Sequence, residues 1–145
     1  MLTKIDFCDY DTCAALKELG YNRGAYAYYF PNHKEDLIFN THPMRGCSIN
    51  EMVKGYNTYA KDIVGYELID APTMWEAQKW LREIHNIFVM IDRSFAANNS
   101  WHYVICINDD FEHLIEQPSL ENYSYEEALL EGIKEAVKIL KEWLG

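Results

Sequence analysis

The segments IFVMI (87–91) and WHYVICI (101–107) carry apolar side chains on both faces of a strand, and this double need for cover constrains the fold more than any other feature of the chain. Neighbouring side chains on a strand point to opposite faces of the sheet. Ile87, Val89 and Ile91 therefore oppose Phe88 and Met90, while Trp101, Tyr103, Ile105 and Ile107 oppose His102, Val104 and Cys106. Neither face reads as wet, so helices must cover one and something else the other.

The covering helices announce their starts. In YSYEEALLEGIKEAVKILKEWLG, Ser124 is an N-cap and Glu127 follows three residues later, the arrangement in which each side chain satisfies the other's orphan backbone N–H. Leu129, Ile133, Ala136, Val137, Leu140 and Leu144 then recur as one stripe, with Glu126 and Glu127 in the first turn and Lys138 and Lys141 near the last, as the helix dipole favours. In APTMWEAQKWLREIHN, Pro72 and Thr73 open a helix, Glu76 completes a second box, Ala77, Trp80, Leu81 and Ile84 form the inward stripe, and His85 closes an end that favours a cation. In DYDTCAALKELGYN, Asp9 or Asp11 is the cap, Cys13, Leu16 and Leu19 face inward, and Gly20 stands where a left-handed residue ends the helix.

A hairpin follows each of the first two helices. AYAYYF (25–30) and LIF (37–39) flank the turn-rich PNHKED, and the strands 87–91 and 101–107 flank RSFAANNS. Residues 40–72 show no sustained period and are expected to hold a short helix and strand, or to form a lid or binding loop. The expected fold is a single α+β domain over residues 1–145: two layers, an antiparallel sheet of four to five strands with two or three helices on one face, in the order α-β-β-x-α-β-β-α. Ala25 and Ala27 let a helix approach, whereas Tyr26, Tyr28 and Phe30 form an aromatic row to be covered by the middle segment, a second copy of the chain or a ligand.

Charge restricts the partners. The chain carries 23 acidic against 13 basic residues, a net charge of −10. Residues 109–145 hold ten acids against Lys134, Lys138 and Lys141, a net −7. Phosphate-backbone binding needs clustered positive charge, which the sequence lacks, so nucleic acid is not an expected partner. No segment has the roughly 18–20 apolar residues of a membrane span, and MLTKIDFCDY has no signal-peptide core, so a cytoplasmic protein without a membrane partner is expected. Cys8, Cys13, Cys47 and Cys106 lack paired metal-ligand spacing and read as reduced, buried thiols.

Chemistry-bearing motifs are few. The chain has no G-x-S-x-G, P-loop, G-x-G-x-x-G or H-E-x-x-H. His33, His42 and Cys47 are too loosely spaced to announce zinc, and Asn108, Asp109, Asp110 and Glu112 match strand-ending turn chemistry rather than a calcium loop. No metal or cofactor is expected. Arg23, Arg45 and Arg93 are placed in loops beside aromatic strands, where a guanidinium clamps a phosphate or carboxylate while a tyrosine stacks on a ring.

The segments LKELGYN, APTMWEAQKWLREIHNI and YSYEEALLEGIKEAVKIL resemble those of a group of small proteins, without an assigned activity, carried by tailed phages and mobile elements of gut bacteria. The resemblance spans the first 30 residues and those from about 70 onward, and it brings no catalytic or binding residues. It implies a phage-type accessory protein acting in the cytoplasm of a bacterial host by binding rather than turnover. The leading expectation is a non-catalytic protein that sequesters a small anionic, ring-bearing ligand, such as a nucleotide-derived host defence signal. Tyr26 and Tyr28 would stack, Arg23, Arg45 and Arg93 would meet the anion, and His42 and His102 would supply polar contacts. A homodimer would bring two sets of arginines together against the net acidity. The alternatives are an acidic inhibitor docking on a host protein and a small hydrolase without a recognisable motif.

Overall fold

The computed structural model describes residues 2–39, 68–94, 100–118 and 122–144. They form an α+β fold whose contacts divide it into two compact units, Met1–Thr73 and Met74–Gly145.

In the first unit a short 3-10 turn (Lys4–Asp6) precedes helix α1 (Tyr10–Glu18). Of the two aspartates offered as caps, Asp9 takes the role, its carboxylate accepting from the Thr12 N–H at 3.0 Å. Gly20 ends the helix at φ +98°, as its position in the sequence implies. Strands β1 (Ala27–Phe30), β2 (His33–Phe39) and β3 (Ile69–Ala71) form an antiparallel sheet in the order β2-β1-β3. The hairpin is tighter than expected: Phe30 pairs with His33, so most of PNHKED is strand rather than loop. Among the described residues β2 is an edge strand, where outward charged residues guard the hydrogen-bonding edge. β3 falls within residues 40–72, where a short helix and strand or a lid is expected, and pairs Ala71 with Ala27. The loop before α1 is tied down by the Cys8 N–H donating to the Pro72 carbonyl at 3.1 Å and by a bridge between Phe7 and Thr73.

The second unit contains helix α2 (Met74–His85), strands β4 (Ile87–Ser94), β5 (Ser100–Ile107) and β6 (Ile115–Glu116), and helix α3 (Tyr125–Leu144). The strands lie antiparallel in the order β4-β5-β6. Thus the strands among the described residues make two three-stranded sheets, not one sheet of four to five. Alternation within strands cannot reveal which strands pair, which is why the sequence did not separate them. The capping box at α3 forms as read: the Glu127 N–H donates to Ser124 Oγ and the Ser124 N–H to Glu127 Oε1, both at 3.2 Å. Leu129, Ile133 and Ala136 are fully buried and α3 packs on β4 and β5, but Leu144, the last residue of the helix, is exposed. Ile84 of α2 is likewise exposed, whereas Ala77, Trp80 and Leu81 are buried. Among the described residues β4 is an edge strand, and the Gln78 side-chain amide covers it by donating to the Val89 carbonyl at 2.7 Å.

Gly132 sets the spacing between α3 and the sheet. A β-carbon there would lie 2.6 Å from Val89 Cγ1 and 2.9 Å from Tyr103 Cβ. Alanine is worth about 1 kcal/mol over glycine in a helix interior. A Cβ held by the β5 backbone cannot rotate away, however, and overpacking costs about 1–3 kcal/mol. Gly132→Ala should therefore destabilise the protein by up to about 2 kcal/mol despite its higher helix propensity. A lower urea midpoint at unchanged slope is the expected result, and an unchanged or raised midpoint would refute the close approach.

Candidate functional site

The residues expected to form a ligand site are distributed over both units. Tyr28 is 8% exposed, its ring meeting Phe30 edge-on at 5.7 Å in a cluster with Leu68 and Ile38. Tyr26 precedes β1 and is 46% exposed, and Arg23 is half-buried in the loop after α1. In the second unit Arg93 belongs to β4 rather than to a loop, because the ladder continues past the last apolar residue and pairs it with Trp101. Its guanidinium lies 5.5 Å from the Trp101 ring centroid. His102 is half-buried opposite Asp92, and its Nδ1 has no hydrogen-bond partner among the described residues. His42 and Arg45 lie outside the described residues, as does Cys47.

A different surface is built at the end of β5. Asn108 and Asp109 adopt φ +51° and +59°, a left-handed pair that Asn and Asp tolerate, and the Asp110 N–H donates to the Ile107 carbonyl at 3.0 Å. The turn is fastened to the corner between α2 and β4. There the Asn108 N–H donates to the Asn86 carbonyl at 3.0 Å, and Asn86 Nδ2 reaches Asp109 Oδ2 at 3.5 Å. Beyond it the Phe111 N–H donates to the Asp109 carbonyl at 3.1 Å, and His113 Nδ1 lies 2.9 Å from Asp110 Oδ2. The loop so held presents Phe111 at 66% exposure and Leu114 at 40%, among the exposed Asp109, Asp110 and Glu112. The acids serve turn chemistry, as the sequence implies, and Phe111 is not among the residues that any motif marks. The available signal was a large apolar residue inside the acidic loop NDDFEHL.

The first unit holds a cleft of about 250 Å³ between the start of α1 and the β1–β2 hairpin. Tyr10 and Tyr29 form its aromatic corner, their rings meeting edge-on with centroids 5.8 Å apart. Lys34 Nζ lies 5.1 Å from the Tyr10 ring centroid, and Lys4 Nζ donates to the Glu35 carbonyl at 2.7 Å. Asp9, Asp11 and the Glu35 side chain complete the rim. No sequence signal marks this cleft, since it joins residues far apart in the chain.

The thiols fit the expectation of reduced, buried cysteines: Cys8, Cys13 and Cys106 are free and buried. Burial, with Cys8 beside it, pushes the Cys13 thiol well up, and burial with Asp109 and Asp110 raises Cys106. Both are therefore protonated near neutrality and poor nucleophiles. Burial, with Cys13 and Asp9 nearby, also raises Tyr29, whose hydroxyl donates to the Cys8 carbonyl at 3.0 Å. Among the described residues no group of three His, Cys, Asp or Glu side chains is placed to hold a metal ion, and no helix is long and apolar enough to cross a membrane.

No family model matches the chain, and no curated protein or solved structure shows significant similarity to it.

His85 departs from its expected role. The C-terminus of α2 favours a cation, but burial lowers the His85 pKa, and its Nε2 is buried without a hydrogen-bond partner among the described residues, with Trp80 edge-on at 4.7 Å. Burial thus sets the direction of its shift. With the folded pKa below the ordinary 6.5, the unfolded chain takes up this proton first as the pH falls. The stability from neutral His85 is full above about pH 6.5 and is lost as the pH drops through the folded value. Thermal unfolding between pH 7.5 and 5 should show this loss, and His85→Phe should flatten it. An unchanged slope in the variant would refute the assignment.

Proposed function

We propose that the protein is a non-catalytic acidic binding module that docks the Phe111–Leu114 loop onto a basic partner protein bearing an apolar pocket. The observation that carries this reading is the 66% exposure of Phe111 on a loop fastened by backbone hydrogen bonds. Aromatic anchors dominate interface energetics, and a loop ordered in advance loses little entropy on binding. The carboxylates around it supply the steering charge, and the net −7 of residues 109–145 extends that field. The phage-type resemblance would make the partner a host protein and the action inhibitory, in the host cytoplasm.

This reading stands ahead of anionic ligand capture at the residues named from the sequence. Tyr28 has its ring packed among Leu68, Phe30 and Ile38, and the Arg93 guanidinium lies over Trp101. A chain of net charge −10 also repels an approaching anion.

A photo-crosslinking residue at position 111, used in host lysate at low salt, identifies a partner whose affinity is then measured with purified proteins. Phe111→Ala should weaken binding at least tenfold, about 1.4 kcal/mol or more, while leaving the melting temperature nearly unchanged. Affinity should fall as salt rises, and Asp110→Asn should lower the association rate and its salt dependence. Equal affinity of wild type and Phe111→Ala would overturn the reading. Stabilisation by a nucleotide, about 2.7 kcal/mol at 100 times its Kd, would favour ligand capture instead.

A further inference from the structure

Two cysteines meet at the start of α1. Asp9 is the N-cap of the helix, so Cys8 stands one residue before the cap and Cys13 is the fourth residue after it. Side chains at those two positions pack on each other across the first turn, as a staple of apolar groups that fixes the angle at which the chain enters a helix. Here both halves of the staple carry sulfur. Cys13 Sγ donates to the Cys8 carbonyl at 3.5 Å, and the Cys8 thiol is close enough to bear on the ionisation of Cys13. Both are free thiols, at 0% and 1% exposure. The Cys8 backbone is held by groups other than these sulfurs: its N–H donates to the Pro72 carbonyl at 3.1 Å, and its carbonyl accepts from the Tyr29 hydroxyl at 3.0 Å. A thiol is a weak donor, so the carbonyl stays satisfied by Tyr29 when the Cys13 S–H is lost.

We propose that Cys8 and Cys13 are a redox-controlled staple, in which a disulfide oxidant of the glutathione class joins the two sulfurs and fastens α1 to the chain before it. The thiolate of one cysteine attacks a sulfur of glutathione disulfide, breaking its S–S bond and releasing one glutathione thiolate. The thiolate of the other cysteine then attacks the protein sulfur of the mixed disulfide and releases the second glutathione. The protein loses two protons and two electrons, and one glutathione disulfide becomes two glutathiones. The oxidant reaches the sulfurs when α1 opens. A helix of nine residues is too short to persist alone, and such elements open locally at lower cost than the whole fold. Opening also ends the burial that keeps the Cys13 thiol protonated. Burial therefore slows the exchange, while its equilibrium depends on how the folded chain holds the two sulfurs. The pair lies wholly within the first unit and is independent of the Phe111 loop.

The test refolds the full chain from urea in glutathione redox buffers, which gives the oxidant access to every thiol, and then alkylates and digests it with trypsin. The peptide 5–17, between Lys4 and Lys17, carries both cysteines. It should appear unalkylated and two hydrogens lighter in oxidising buffer, and doubly alkylated in reducing buffer. The oxidised protein should melt about 5 °C higher than the reduced one, the scale of a cross-link closing a loop of about six residues. Amide hydrogen exchange in α1 should slow about tenfold or more on oxidation. Cys13→Ala should melt at one temperature in both buffers, and Cys47→Ala, which leaves the pair intact, should respond as the wild type does. A peptide 5–17 that stays doubly alkylated after refolding in oxidising buffer would overturn the proposal. So would a disulfide joining either residue to Cys47 or Cys106 instead, or an oxidised form that melts no higher than the reduced one.

Discussion

Small antiparallel sheets stand in water only when a face is covered, and in this protein each three-stranded sheet depends on what its own unit can lay against it. In the second unit that cover is α3, whose stripe of Leu129, Ile133 and Ala136 is wholly buried. Its approach is fixed at Gly132, where only a hydrogen fits between Val89 and Tyr103. In the first unit α1 has nine residues, too few for independent stability, and its position rests on tertiary ties. Leu16 and Cys13 are buried on its inner face, the Tyr21 N–H returns to the Leu16 carbonyl at 2.9 Å, and the preceding loop is bound to Pro72.

Local signals in the sequence were legible where local energy decides the outcome. Ser124 with Glu127, Asp9 before Thr12, and Gly20 each act within a few residues, and each does in the structure what its chemistry implies. The stripes of α2 and α3 were readable for the same reason, apart from Ile84 and Leu144 at their ends, where burial depends on the extent of the sheet beneath. Strand partnership was not legible. Whether β1 meets β2 and β3, and β4 meets β5 and β6, is decided by contacts between distant residues, and side-chain alternation is blind to them. The edge position of β2 explains the largest boundary error: His33, Lys34, Glu35 and Asp36 look like loop residues because no inward face demanded apolar ones.

The sites were less legible than the fold. Reading arginines and tyrosines as partners assumed that neighbours in type would be neighbours in space. Tyr28 instead packs with Phe30, and Arg93 with its cross-strand partner Trp101. The cleft unites Lys4, Tyr10, Tyr29 and Lys34, whose separation along the chain leaves no spacing to recognise. The Phe111 loop was within reach, because exposing a large aromatic in a turn made of Asn and Asp is a local statement. Turn formation accounts for its acids and its backbone but not for the large aromatic side chain between them.

The acidic excess contributes little to folding. The ion pairs Lys79–Glu83 at 3.6 Å and Lys134–Glu131 at 3.5 Å are surface contacts between neighbouring turns of one helix, worth about 0–1 kcal/mol each. A net excess of acids adds like-charge repulsion to the compact state, and burial, with Asp109 and Asp110 nearby, raises the Cys106 pKa. A net charge of −10 is therefore a modest burden on stability, with solubility as its general return. Its placement carries the more specific meaning. The exposed Asp109, Asp110 and Glu112 flank the exposed Phe111 in the chain. An aromatic surface alone binds without discrimination, and carboxylates beside it repel anions, so the charge bias would favour a basic partner at the proposed docking loop.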